Sequence, residues 1–217
     1  MDTFGDRLRS VISVAMERSD DAEYQQRAKA LKISWDQFER RSQELERKAA
    51  YEGWGIPPDK AALLSAPENT EALRAVGEFL RSPALFLMLV GDLGVGKTIA
   101  AWWGVAQRGG RYVTAMELVR AGSFDRDFWE SLRTAPFVAI DELGMEAVDQ
   151  SGWFLANLYD LLDHRLSRSR KTALLSNLDA AAFKARYCSG TMERLYERLK
   201  TQGEFVALAG ESLRVHW

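Results

Sequence analysis

The eight residues from Gly91 to Thr98, GDLGVGKT, constrain this sequence more than any other stretch. They match the pattern G-x-x-x-x-G-K-[ST] at every required position. An apolar run, LFLMLV, precedes them, and a helical pattern, IAAWWGVA, follows. Glycines let the backbone curl so that successive N–H groups point inward, and the following helix contributes its positive N-terminal end. The stretch therefore predicts a phosphate-binding loop between a buried strand and a helix.

The residues of this loop divide into side-chain and backbone ligands. Lys97 is predicted to reach the β- and γ-phosphates of a nucleoside triphosphate, and the Thr98 hydroxyl is predicted to ligate Mg²⁺. The backbone ligands for the phosphates are predicted to be Gly91, Asp92, Leu93, Gly94, Val95 and Gly96.

A second acidic element follows some forty residues later, where the apolar run FVAI ends in Asp141 and Glu142. Asp141, at the carboxyl end of a predicted strand, is expected to orient the magnesium ion from the side opposite the loop. Glu142 is expected to polarise an attacking water, which favours hydrolysis over simple binding. Taken alone, the pair is equally typical of an ordinary strand capped by solvated acids.

From about residue 70 onward, short apolar runs alternate with helical patterns, which predicts an α/β fold with a parallel sheet flanked by helices. The helical patterns cover roughly 97–108, 125–134, 150–167 and 179–187. Five strands are predicted, all short and mostly apolar as expected for strands buried on both faces: Leu85–Val90, Tyr112–Ala115, Phe137–Ile140, Thr172–Ser176 and Phe205–Leu208.

The composition changes along the chain and suggests three segments. Residues 1–50 are charged and helical in pattern, and form a predicted N-terminal module. Residues 51–69 contain three of the five prolines and are predicted to be a linker. Residues 70–217 form the predicted nucleotide-binding domain.

The bulk composition excludes several classes of protein. A net charge of −2 provides no global positive field for nucleic acid, so DNA binding is possible but not evident from charge. The single cysteine excludes an intrachain disulfide. The first residues are too charged for a signal peptide, and the longest apolar run is too short to span a bilayer. We therefore expect a cytoplasmic protein without a membrane partner.

Between about residues 85 and 215 the sequence resembles an AAA+ ATPase of the DnaC-like and IstB-like group, the bacterial helicase loaders and transposition helpers. The most specific matches are GDLGVGKT and VAIDELG. YDLLDHRLSRSRKTALLSNLD, MERLYERL and GESLR follow in the family's order. The resemblance implies the AAA+ type of P-loop fold, with ATP and Mg²⁺ as ligands.

The resemblance also implies roles for single residues. Asn177 fits the sensor 1 position, although a strand-terminal asparagine is also typical of a turn. Arg198, with Arg194 as the alternative, corresponds to the arginine finger that reaches the ATP of a neighbouring subunit. An amphipathic surface helix would show the same pattern. Arg214 resembles the sensor 2 arginine, and Arg165 is a second interface candidate of open role.

The implied function is that of an ATP-hydrolysing protein that forms a homo-oligomer through ATP-bridged interfaces. Its partner would be a replicative helicase, which it loads, or a transposase, which it regulates. Two alternatives remain open. One is a nucleotide-switched binding or DNA-binding adaptor with little turnover, and the other is a P-loop kinase. The Asp141–Glu142 pair and the late ERLYER segment disfavour the kinase.

The N-terminal module allows two interpretations. AKALKIS and the following FERR resemble a repressor-like helix-turn-helix, with Lys32 at the place of the turn glycine. The other interpretation is a small helical protein-docking module. Acidic and basic residues occur in equal numbers between residues 1 and 50, so charge does not favour DNA.

Overall fold

A computed structural model describes residue 14 and residues 22–65, 67–122, 125–146, 152–187, 193–210 and 212–213. The chain divides into two compact units, Met1–Ala50 and Tyr51–Trp217. Among the helices of the described part, none is long and apolar enough to cross a membrane.

The first unit contributes most of one long helix, α1, which runs without interruption over Ala22–Gly53. The helix-turn-helix interpretation of residues 28–40 is therefore wrong, because these residues lie within a single helix. The physical reason is Lys32, since a left-handed turn favours glycine, whereas lysine is a good helix former. Phe38 and Leu45 are exposed on this helix.

The second unit alternates helices and strands. After a 3₁₀ turn at Pro58–Lys60, the helices are α2 Ala61–Ser65, α3 Glu71–Arg81, α4 Lys97–Arg108, α5 Ala115–Ala121, α6 Arg126–Thr134, α7 Trp153–Ser167, α8 Ala180–Tyr187 and α9 Glu193–Gln202. The strands are β1 Phe86–Gly91, β2 Arg111–Thr114, β3 Phe137–Leu143, β4 Lys171–Ser176 and β5 Gly203–Leu208.

The five strands form one parallel sheet in the order β2-β3-β4-β1-β5. Successive side chains of a strand point to opposite faces. Accordingly Val138 and Ile140 of β3 belong to one buried cluster, and Phe137 and Ala139 to another. Helices α5 to α8 cover the first face, and α3 and α4 cover the second. The predicted parallel sheet with helices on both faces is confirmed.

The proline-rich segment 51–69 packs into the second unit rather than forming a free linker. Tyr51, Ile56 and Leu64 are buried in the same cluster as α3 and α4. The Tyr112 amide of β2 donates to the Trp54 carbonyl oxygen at 2.7 Å. The prolines and glycines shape the turns of this segment, and its apolar side chains extend the buried cluster of α3 and α4.

Helices α3 and α5 are among those missing from the sequence prediction, and each follows a threonine N-cap. Thr70 accepts a hydrogen bond from the Leu73 amide at the start of α3. Thr114 and Glu117 form a capping box at the start of α5. This box explains why β2 ends at Thr114, one residue before the predicted strand end.

Candidate nucleotide-binding and hydrolysis site

The phosphate loop joins β1 to α4, as its sequence predicts. Three of its glycines have positive φ: 144° at Gly91, 87° at Gly94 and 88° at Gly96. A β-carbon on Gly91 would lie 2.2 Å from the Leu208 carbonyl oxygen of β5. Gly96 is the N-cap of α4 and carries no side chain that would cap the helix. The first backbone amides of α4 therefore face the loop, which suits an anion.

The buried side chain of Lys97 lies inside the loop. Its ammonium group donates to the carbonyl oxygens of Gly91 and Asp92, both at 2.7 Å. These contacts hold a positive charge within the turn that the glycines form. Lys97 is thus placed where a lysine can neutralise phosphate oxygens.

Thr98 and Asp141 meet although 43 residues separate them. The Thr98 hydroxyl donates to Asp141 Oδ2 at 2.7 Å. The Tyr112 hydroxyl donates to the same oxygen at 3.1 Å. Burial, followed by the charge of Asp141, raises the pKa of Tyr112 above its ordinary value, so the phenol remains a donor. The sequence pattern does not identify Tyr112, because its role depends on the pairing of β2 with β3.

This pair of side chains suits a magnesium ion. A hydroxyl and a carboxylate that lie within hydrogen-bonding distance provide two hard oxygen ligands on one side of a phosphate loop. Thr98 and Asp141 are therefore the residues that would hold Mg²⁺. When bound, the ion would neutralise charge on the β- and γ-phosphates.

Glu142 follows Asp141 at an irregularity in the pairing of β3 with β4. Its φ of 58° is in the left-handed region, and its amide donates to Asp141 Oδ1 at 2.7 Å. Its side chain is exposed, whereas Asp141 is buried. The two acids therefore differ in environment, and the Glu142 carboxylate is open to solvent water, as a general base for an attacking water needs to be.

Asn177 directly follows β4, the strand that lies between β3 and β1. The preceding Ser176 donates through its hydroxyl to the Leu143 carbonyl oxygen at 2.6 Å and accepts from the Leu178 amide at 3.1 Å. These bonds fix the end of β4 beside the end of β3. Asn177 lies at the same carboxyl edge of the sheet as the phosphate loop and the acidic pair.

The predicted finger arginines lie on α9. Arg198 pairs with Asp163 of α7 in the same chain, and the two side chains are 45% and 38% exposed. Arg194 lies one turn earlier, and its side chain is outside the described residues. Arg214 is also outside the described residues, although the Leu213 amide before it donates to the Gly94 carbonyl oxygen at 3.0 Å.

Arg165 is fully buried, so the interpretation as an interface arginine is wrong. Its guanidinium donates to the carbonyl oxygens of Leu132, Ala135 and Lys171 and to the Thr172 hydroxyl, at 2.6 to 2.9 Å. Burial lowers its pKa below the ordinary value. The side chain therefore joins the end of α6 to the start of β4 and is not available to another subunit.

The strand order and the phosphate loop between β1 and α4, with an acidic pair at the end of β3, define the AAA+ type of P-loop fold. Structural comparisons agree. The structure of DnaI is 21% identical and matches 70% of this chain and 89% of its own, with a TM-score of 0.54. AMPPCP-bound DnaA from Aquifex aeolicus is 16% identical over 67% of this chain and 49% of its own, with a TM-score of 0.52.

A third structure, the DnaC helicase loader, is 20% identical over 66% of this chain and 93% of its own, with a TM-score of 0.49. The match spans about half of the DnaA chain and most of the DnaI chain. No family model matches the sequence, and no curated protein matches it significantly. At these identities the likeness to DnaI and DnaA confirms the fold that the sequence motifs imply.

Proposed function

We propose that this chain binds and hydrolyses ATP with Mg²⁺ as an AAA+ ATPase. The observation that carries the proposal is the contact between the Thr98 hydroxyl and the Asp141 carboxylate across the sheet edge. Lys97 would bind the phosphates, and Glu142 would accept the proton of the attacking water. Asn177 would hold that water or detect the γ-phosphate, and Arg214 would approach the same nucleotide from the segment after β5.

The same site would also control assembly. In this proposal the ATP of one subunit is completed by Arg198, or by Arg194, of a second copy of the chain. Arg198 would have to leave Asp163, and an exposed ion pair of this kind contributes only about 0–1 kcal/mol. Release is therefore easy, and the γ-phosphate would act as an assembly switch.

The proposed partner is a DNA-processing protein, either a replicative helicase or a transposase. The order of the motifs supports this class, and one of the similar structures is a replication initiator, DnaA, bound to AMPPCP and single-stranded DNA. The test is ATP-dependent co-purification of the full chain with a helicase or a transposase from the same organism. If neither a helicase nor a transposase co-purifies with the chain, the proposed class of partner is wrong.

The hydrolysis proposal is tested by phosphate release from the full chain and three variants. Lys97→Ala is expected to abolish nucleotide binding, and Glu142→Gln to retain binding but lose at least tenfold in turnover. Asp160→Asn, which breaks a surface pair with Arg133, is the matched control and should retain turnover. If Glu142→Gln hydrolyses ATP as fast as the unchanged chain, the nucleotide-switched adaptor becomes the better description.

Catalysis between subunits is tested by mixing two inactive variants. Arg198→Ala lacks the proposed finger but keeps an intact loop, whereas Lys97→Ala lacks the loop lysine but keeps the finger. A mixed interface would combine the intact half of each, so part of the turnover should return. No recovery at any mixing ratio would argue against a finger acting in trans.

A further inference from the structure

A buried carboxylate that the proposed mechanism does not use lies just beyond the acidic pair. Glu146 lies four residues after Glu142 and is only 4% exposed. Its Oε2 accepts a hydrogen bond from the Gly144 amide at 2.9 Å. Its Oε1 accepts hydrogen bonds from side chains of α8. A buried charge is tolerated only when several donors compensate its desolvation, and this carboxylate has them.

The donors on α8 are Arg186 and Tyr187. Arg186 Nε and Nη2 lie 3.0 and 2.8 Å from Glu146 Oε1, and Nη2 also donates to the Glu146 carbonyl oxygen at 2.6 Å. The Tyr187 hydroxyl donates to the same Oε1. Arg186 therefore donates to both the carboxylate and the backbone carbonyl oxygen of Glu146, which fixes the position of Glu146 relative to α8.

The turn that these bonds hold contains two residues whose φ angles are positive. Glu142 has a φ of 58°, and Gly144 has a φ of 104°. A β-carbon on Gly144 would lie 2.8 Å from the Leu178 side chain, so the turn also packs closely against the chain after β4. The Met145 amide donates to the Glu142 carbonyl oxygen at 3.0 Å. A non-glycine residue in this conformation persists only where its surroundings determine it.

We propose that Glu146 is a positioning residue for hydrolysis, holding the turn that presents Glu142 and tying that turn to α8 through Arg186. This role rests on the proposed ATPase function. Glu146 has no part in binding phosphate or Mg²⁺, because its carboxylate is occupied by Gly144 and by α8. Its loss should therefore alter the chemical step and not the affinity for nucleotide.

The experiment compares the full chain with Glu146→Gln, an isosteric change that removes the charge facing Arg186. Measured quantities are kcat and KM for ATP, the affinity for a fluorescent ATP analogue, and the thermal unfolding midpoint. We expect kcat to fall at least tenfold, with KM and nucleotide affinity within threefold of the unchanged chain. Asp160→Asn removes a carboxylate from another arginine pair, on the surface between α6 and α7, and should leave kcat within twofold.

A purely structural role would lower the unfolding midpoint and leave kcat per folded molecule unchanged, and this result overturns the proposal. If Glu146→Gln does not fold, the proposal is tested with Arg186→Lys by the same measurements. A threefold or greater fall in kcat at constant KM supports the role, and kcat within twofold of the unchanged chain contradicts it. Absence of turnover in the unchanged chain would overturn the ATPase function itself, which separates the two failures.

Discussion

Replacing Arg165 by alanine tests whether a buried arginine holds the sheet to its covering helices. The side chain is 0% exposed, and its four donors reach three backbone carbonyl oxygens and one hydroxyl. Within the described residues no carboxylate pairs with it, so the backbone compensates its charge. Alanine would remove every one of these donors and leave a cavity at the junction of α6, α7 and β4.

The magnitude follows from the acceptors that lose their donor. A buried acceptor without a partner costs about 1–3 kcal/mol. Three carbonyl oxygens would therefore cost about 3–9 kcal/mol, and removing a buried charge recovers part of this. We expect a loss of about 3–5 kcal/mol, a large fraction of the roughly 5–15 kcal/mol that stabilises a domain.

The assay is urea unfolding followed by both tryptophan fluorescence and far-ultraviolet circular dichroism. Arg165→Lys keeps a charge but not the planar fork, and should recover only part of the loss. Arg168→Ala, an exposed arginine at the end of the same helix, should change the free energy of unfolding by less than about 1 kcal/mol. A loss below about 1 kcal/mol in Arg165→Ala, accompanied by lower turnover, would restore the interface interpretation.

Three further predictions concern a glycine, a tyrosine and an ion pair. Gly91→Ala should lower the free energy of unfolding by about 1–3 kcal/mol in urea titrations, because its β-carbon would meet the Leu208 carbonyl oxygen at 2.2 Å; an unchanged midpoint would contradict this. Burial, then the carboxylate it contacts, raises the pKa of Tyr187 above 10.0, so its contribution to stability is complete below that pH and is lost as pH rises further. Tyr187→Phe should therefore make the alkaline decline in unfolding free energy shallower, by up to about 1.4 kcal/mol per pH unit, and parallel curves would refute it. Asp163→Ala should alter the free energy of unfolding by less than about 1 kcal/mol and preserve turnover. Arg198→Ala should lower turnover at least tenfold, and an equal loss of turnover in both variants would make Arg198 a structural residue.

Much of the fold was predictable because its signals are local. Strands buried on both faces read as short apolar runs, and all five were identified within a few residues of their observed ends. Helices α3 and α5 were missed although each begins with a capping threonine. The capping box of α5 is short, and it becomes informative only when β2 is known to end there.

The candidate site divides in the same way. The phosphate loop is eight consecutive residues whose function resides in their own backbone, and Asp141 lies at the end of an apolar run. Tyr112 and Glu146 carry no comparable pattern, since each acquires its role from a partner on another element. Local sequence does not distinguish Arg165 from Arg198. Arg165 is buried among carbonyl oxygens, whereas Arg198 is exposed beside a carboxylate.

The sequence by itself determined the phosphate loop, the acidic pair and the alternation of strands and helices, because adjacent residues encode them. Only the tertiary structure decided which arginine supports the sheet, which tyrosine contacts Asp141, and which acid holds the turn after β3. These roles depend on burial and on contacts between residues about 30 to 40 positions apart. Burial and hydrogen-bond partners exist only after the strands have paired, so no local pattern in the chain records them.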